Sequence, residues 1–375
     1  MSPRFPAMKF SFPSTAVRRL IFAAGFVALS AALGAAEALP EYEPSLKVTG
    51  VLRSCGNPRM AALLQRWQAG FKRFHPEVQF ADDLKSSASG MYGLDMRTAD
   101  LALMGRAIFP YERYGVYERS WAYPAEIEVA TGSADALHKS PAFAIFVHAS
   151  NPLAQLSVRE LDRVFGAERG GGWNALTWDT SVARTAKDDI RTWGQLGLTG
   201  EWAGRAIHVY GPPGLGAGAI TFFQTRVFGG AETWNEDLRE YADRRQMLAD
   251  LAKDPLGIAY APIAYAGSGV KALALGETPA GPFVPLTHET VASRSYPLHR
   301  PVYIYYTRDN SKSALMPTLG DPRVKEFLRY VVSQQGQQEV AAEGSYLPLT
   351  AAVARAQLQK LNSTEIPPER RFMEN

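Results

Sequence analysis

The sequence predicts an α/β fold of about two domains carrying largely parallel sheets. Three observations lead there. A length of 375 residues fits about two units of ordinary domain size. Hydrophobic residues make up 46% and charged residues 21% of the chain, ordinary values for a protein that buries sizeable cores. Short β-rich runs alternate with helical patterns, the rhythm of βαβ units.

Taken in order, Lys47 to Leu52 reads as a strand that Ser54-Cys55-Gly56-Asn57-Pro58 breaks. Met60, Leu63, Leu64, Trp67, Phe71 and Phe74 then recur at the spacing of one helix face, with Pro58 suited to the first turn. Val78 to Ala81 is a second strand, Lys85 to Gly90 a polar loop, Met91 to Arg97 a short helix and Asp100 to Met104 a third strand. Two extended runs, Glu126 to Ala130 and Ala142 to His148, mark a crossing between lobes. Ser157-Val158-Arg159-Glu160 is a capping box, hence a helix start rather than a catalytic serine. Arg205 to Tyr210 is a strand, Gly211 to Gly218 a glycine-rich turn, Ala219 to Phe228 and Leu238 to Leu251 helices, and Gly257 to Ala261 a strand. Arg300 to Tyr306 is β-branched and aromatic, therefore a strand. Asp321 caps a helix opened by Pro322, whose inner face is Val324, Phe327, Leu328, Val331 and Val332. Thr350 caps a last helix to Leu361, and the polar 362–375 is expected to be a disordered tail.

Residues 1–38 read as a cleaved export signal. Arg18-Arg19 precede an apolar stretch from Leu20 to Gly34, followed by Ala36-Glu37-Ala38. That stretch is shorter than the ~20 residues of a spanning helix, so cleavage before Leu39 is expected, with Met8 an alternative start. No acylation cysteine follows it. The leader also holds the net positive charge: without it the chain is balanced, which removes the basic surplus that nucleic-acid or anionic-membrane binding needs. A single cysteine, Cys55, excludes a disulfide framework.

Catalytic signals are missing. His75, His138, His148, His208, His288 and His299 are scattered without zinc-ligand spacing, so no metal is expected. No Gly-x-Ser-x-Gly elbow is present, and Asp82-Asp83 reads as a solvated loop start. A different pattern recurs: strand, small polar loop, helix N-terminus, where free backbone N–H groups and the helix dipole favour an anion. It occurs at Ser54 to Asn57, at Ser86 to Gly90 and at Gly214 to Gly218. The last of these misses the G-x-G-x-x-G spacing of dinucleotide binding.

The chain resembles the substrate-binding proteins of phosphate ABC transporters, which have the type 2 periplasmic-binding fold. The resemblance runs from about Leu46 to Leu361. It rests on Tyr296-Pro297-Leu298-His299-Arg300-Pro301-Val302-Tyr303-Ile304-Tyr305, Val324-Lys325-Glu326-Phe327-Leu328 and Gly344-Ser345-Tyr346-Leu347-Pro348-Leu349. Asn151-Pro152, Ala99 to Met104 and Gly257-Ile258-Ala259-Tyr260 add to it.

The resemblance implies two lobes, each a mostly parallel sheet flanked by helices: lobe 1 from 46–141 and 263–361, lobe 2 from 142–262, with a ligand cleft between them. It implies a non-catalytic, exported, periplasmic monomer that captures phosphate or a related oxyanion for an ABC-type permease, without a cofactor. The alternative keeps the fold with another solute, or with a sensory or scaffold role. Carried over by position, the implied ligands are Ser54, Asn57, Ser87, Ser89 and Arg106, the last as the main cation, with backbone donors at Gly216 and Gly218. Where the family has an arginine and then Ser-Gly-Thr, this chain reads Gly211-Pro212-Pro213-Gly214-Leu215-Gly216-Ala217-Gly218. Each lost charge-assisted bond is worth about 1.5–3 kcal/mol, so weakened phosphate binding is expected.

Overall fold

The structure, a computed structural model, describes residues 38–120, 122–174, 177–212, 218–307 and 320–363. The expected export signal, 1–38, lies outside the described residues except for Ala38. So does 364–375 of the expected tail, whose first residue, Asn362, still belongs to the last helix.

The first lobe begins as successive βα units: β1 (Gly50–Gly56), α1 (Ala61–Lys72), β2 (Val78–Leu84), α2 (Ser87–Asp95), β3 (Leu101–Met104), α3 (Pro110–Ser120) and β4 (Ala125–Thr131). The second contains β5 (Phe143–His148), α4 (Val158–Phe165), β6 (His208–Gly211), α5 (Gly218–Phe228), β7 (Arg239–Glu240), α6 (Arg244–Leu251), β8 (Gly257–Pro262) and β9 (Val270–Ala272). The chain then returns through β10 (Pro301–Tyr306), α7 (Pro322–Val331), α8 (Gln334–Glu343) and α9 (Ala351–Asn362).

The two five-stranded sheets repeat one plan. The first is ordered β2-β1-β3-β10-β4, with β2, β1 and β3 parallel and β10 antiparallel to both its neighbours. The second is ordered β7-β6-β8-β5-β9, with β7, β6 and β8 parallel and β5 antiparallel to β8 and β9. In each sheet the antiparallel fourth strand is the one that arrives from the other lobe. The two crossings are bonded to each other: Gly132 N donates to Arg300 O at 2.7 Å and Phe143 N to Leu298 O at 3.2 Å.

Each sheet has its own core. Leu52, Trp67, Phe71, Leu101, Ile127, Ile304 and Phe327 are buried together in the first, and the face expected of α7 is buried throughout. Ile145, Phe165, Phe223, Ile258 and Tyr260 are buried in the second, where the Phe223 and Tyr260 rings stack at 4.0 Å between centroids. The capping box at Ser157 forms: Ser157 N donates to Glu160 Oε2 at 2.9 Å, and Glu160 N to Ser157 Oγ at 3.2 Å.

Four expectations need correction. The first strand does not break at Ser54. Ser54, Cys55 and Gly56 remain in β1, paired with β2 on one side and β3 on the other. Gly56 makes that closeness possible: its φ is +142°, and a Cβ there would lie 2.3 Å from Leu103 O. The segment expected as a loop over 85–90 becomes helix from Ser87, because Ser86 and Ser89 form a reciprocal capping box. The helix expected from Leu238 loses its first turn to edge strand β7, whose Arg239 and Glu240 pair with Tyr210 and Gly211; Asp243 caps the helix instead. Finally, the second lobe does not end at 262: β9 pairs with β5, and Leu273, Leu275, Val291, Tyr296 and Leu298 join the second core.

Candidate anion-binding cleft

In an open α/β sheet, ligands bind beyond the carboxyl ends of the parallel strands, where the βα turns leave amides and side chains unengaged. Here the two sets of turns face one another across a cleft of about 500 Å³. Asn57 follows β1, Ser87 and Ala88 open α2 after β2, and Gly105 and Arg106 follow β3. From the second lobe come Gly218 and Ala219 at the start of α5, Arg244 at the start of α6, and Pro262 and Tyr265 after β8. Because β5 and β10 run the other way, their beginnings point here too, bringing in Phe143 and Arg300.

Of the residues expected from sequence, Asn57, Ser87, Arg106 and Gly218 line this cleft. Asn57 Oδ1 accepts from Arg59 N at 2.9 Å, which leaves its amide NH₂ as a donor. The first amides of a helix have no intrahelical acceptor; in α2 the Ser89 amide goes to Ser86 Oγ, and Ser87 and Ala88 border the cleft. Ser89 does not line the cleft, because its hydroxyl accepts from Ser86 N at 3.1 Å and donates to Ser86 O at 2.8 Å. Nor does Ser54. It is buried on the same face of β1 as Leu52, with no hydrogen-bond partner for its Oγ among the described residues. Gly216 lies outside the described residues.

Arg106 has an unexpected partner. Its guanidinium makes a two-pronged ion pair with Glu112 of α3, Nη1 to Oε2 at 2.7 Å and Nη2 to Oε1 at 2.6 Å. It also stacks on Phe109 with Cζ 3.8 Å from the ring centroid. The side chains of Arg106 and Glu112 are only 9% and 7% exposed, so the pair is electrically closed and largely dry. The expected main cation is therefore neutralised.

The uncompensated charge belongs to Arg300, 8% exposed, which is not among the ligands that the resemblance implies. Its Cζ stands 5.4 Å from the Phe143 ring and 5.5 Å from the Phe222 ring. Nη2 donates to Gly105 O at 3.4 Å, a carbonyl that also accepts from Ser140 Oγ at 2.8 Å. No carboxylate among the described residues pairs with it. Burial, and then the nearby Arg244 cation, push the Arg300 guanidinium down to about 10, which leaves it charged at neutral pH. Arg244 likewise has no acid partner among the described residues. A buried unpaired cation is costly, and an anion in the cleft would relieve that cost for Arg300 while also meeting the half-buried Arg244.

The segment joining β4 to β5 is held in an unusual conformation. His138 and Ser140 have φ of +70° and +51°, a region that non-glycine residues seldom occupy. Lys139 fixes the segment from outside, with Nζ 2.7 Å from Glu343 Oε1 and 3.0 Å from Arg59 O. The other crossing is tied to β4 by Arg294, whose Nη1 is 2.5 Å from Glu128 Oε1.

The contact across the cleft is close. A Cβ at Gly218 would meet Arg106 Cδ at 2.5 Å, and Glu112 prevents Arg106 from moving freely. Gly218→Thr, which would restore the side chain the resembled family has there, should therefore destabilise the protein by about 1–3 kcal/mol. It should strengthen phosphate binding little or not at all. Thermal melts and calorimetric titration of the variant check both.

A family model described as a PBP superfamily domain matches residues 140–335. Over 340 residues the chain is 31% identical to the phosphate-binding protein PstS of Pseudomonas aeruginosa, covering 90% of this chain and 95% of that protein. Protein SphX of Synechococcus elongatus is 22% identical over 227 residues, 60% of this chain and 58% of that protein. The crystal structure of PstS from Borrelia burgdorferi superposes with a TM-score of 0.51 at 14% identity, covering 80% of this chain and 98% of that one. At that identity the likeness speaks for the fold.

Proposed function

We propose that this chain, which belongs to the PBP superfamily and within it to the family of the phosphate-binding protein PstS, captures phosphate in the cleft and delivers it to an ABC-type membrane permease. The observation that carries the reading is Arg300: a buried guanidinium with no carboxylate partner among the described residues, opening on a cavity where helix N-termini of both lobes converge. In this reading Arg300 supplies the main charge and Arg244 a second. The amides of Ser87 and Ala88 and the side chains of Asn57 and Ser87 supply directional donors. Arg106 forms a wall of the site through its pair with Glu112 rather than acting as its principal cation. Such a set binds and orients an anion and contains no nucleophile with a base, which favours capture over catalysis.

Arg300 also suggests how capture closes the cleft. Its backbone joins the two crossings, while its guanidinium touches Gly105 of one lobe and lies beside Phe143 and Phe222 of the other. An anion on Arg300 and on the first turns of both lobes would favour the state in which those groups converge. Export is supported by the charged, apolar and small-residue order of residues 1–38. N-terminal sequencing of the exported protein should find a start at or near Leu39.

The direct test is calorimetric titration of residues 39–375 with inorganic phosphate, paired with thermal melts. Saturable one-to-one binding is expected. At a hundredfold excess over Kd, phosphate should add about 2.7 kcal/mol of stability. No heat and no melting shift at millimolar phosphate would overturn the reading.

A further inference from the structure

We propose that residues 39–48 form a pH-sensitive clasp, an N-terminal strap that His75 holds against the first lobe at neutral pH and releases on mild acidification. The strap leads into β1 and is fastened along its length. Pro40 O accepts from Gln334 N at 2.7 Å, Tyr42 N donates to Gln335 Oε1 at 2.8 Å, and Ser45 N and Oγ both donate to Glu326. At its centre Tyr42, 4% exposed, meets the Phe74 and Tyr330 rings edge-on at 5.1 and 5.4 Å between centroids, with Phe71 and His75 at 6.3 and 6.2 Å.

His75, in the turn between α1 and β2, is 2% exposed, and both its ring nitrogens serve the strap. Nε2 stands 2.7 Å from Tyr42 Oη, and Nδ1 faces Val48 N at 3.4 Å. These partners assign the tautomer. The Val48 amide can only donate, so Nδ1 accepts; Tyr42 donates to Glu326 Oε2 at 2.8 Å, so its oxygen accepts from Nε2–H. Burial, and then the bond to Glu326, keep the Tyr42 phenol protonated. The relay from Nε2–H through Tyr42 to Glu326 therefore closes around a neutral imidazole. A second proton would sit on Nδ1 and point at the Val48 N–H, leaving two donors face to face in a nearly sealed site.

The surrounding charges do not reverse this. On α7 lie Glu326 and Arg329, whose Nε is 3.5 Å from Glu326 Oε1. Beside the turn after α1, Arg73 is paired with Glu339 of α8 at 3.2 Å, and burial keeps the Tyr330 phenol neutral. The strap's own Glu41, Glu43 and Lys47 are exposed. Burial pulls the His75 imidazole below its ordinary value, against the upward pull of Glu326. An opened strap exposes that ring and lets it take up a proton at the ordinary histidine value of about 6.5. Opening is thus favoured as pH falls below that value, and it uncovers Phe71, Phe74 and Tyr330.

The experiment is amide hydrogen exchange of residues 39–375 at pH 7.5 and pH 5.0, each rate divided by the intrinsic chemical rate at that pH, repeated on His75→Gln. On acidification, protection of the Tyr42, Ser45 and Val48 amides should fall on the order of tenfold more than that of Ile258 and Tyr260 in β8. In His75→Gln, which keeps a donor for Tyr42 and has no titrating group, the excess fall should shrink to less than about threefold. Strap protection that does not change, or that falls only in step with β8, would overturn the proposal, as would an equal excess fall in His75→Gln. NMR titration of the wild-type His75 ring gives an answer that does not depend on the variant folding. Its midpoint should lie below that of an exposed histidine, and a midpoint at or above it would overturn the proposal as well.

Discussion

Arg300→Met should lower phosphate affinity by two to three orders of magnitude without lowering the stability of the unliganded protein. The two effects have one cause. In the empty cleft the guanidinium is 8% exposed, faces the Phe143 and Phe222 rings and has no carboxylate partner among the described residues. It is held in its charged form at a desolvation cost, visible as the drop of its pKa to about 10. Methionine, of similar length and no charge, removes that cost. It forfeits one long hydrogen bond to Gly105 O and two cation–π contacts of about 0.5–2 kcal/mol each. Exchanges of buried charge for apolar side chains are commonly neutral or stabilising. Once an anion is bound the balance reverses, because the variant leaves a buried anion without its charge partner. Truncating one side of such a pair costs about 2–5 kcal/mol, and the middle of that range is a loss of two to three decades in Kd. Titration with phosphate and anion-free thermal melts read the two halves separately. A Kd within fivefold of wild type would show that Arg300 does not meet the ligand. A fall of many degrees in the anion-free melt would show that its role is structural.

The contrast between Arg300 and Arg106 also shows what a single sequence reveals. Elements announced by local chemistry were legible: the Ser157 and Glu160 capping box, the Asp321-Pro322 helix start, the β-branched and aromatic run of β10. Elements determined by a distant partner were not. Arg239 and Glu240 form a strand because β6 runs beside them, and nothing in Leu238 to Leu251 distinguishes that edge from the first turn of an apolar helix. The same limit shaped the reading of the site. Asn57, Ser87, Arg106 and Gly218 follow parallel strands, so the βα rule pointed to them. Arg300 opens an antiparallel strand, where that rule is silent, and Arg244 begins a helix whose start was displaced by the hidden β7. Ser54 and Ser89 had suitable chemistry, but β1 continues through the first and a capping box uses the second.

Arg106→Ala should destabilise the protein by about 3–5 kcal/mol, one of the largest single-residue effects expected in this chain, because it strands a buried carboxylate. Glu112 is 7% exposed at its side chain, and after the substitution the Phe109 amide remains as its donor among the described residues. Adding Glu112→Gln should recover at least about 2 kcal/mol, since the amide can still accept from Phe109 N and no longer carries a charge. Denaturant melts of the two single variants and the double variant give the coupling directly. The double variant also decides the role of Arg106 in capture. If its charge is already satisfied by Glu112, phosphate affinity in Arg106→Ala/Glu112→Gln should stay within about tenfold of wild type, ~1.4 kcal/mol. A loss of two decades or more there would return Arg106 to the role of principal cation, with Glu112 as the group that aims it.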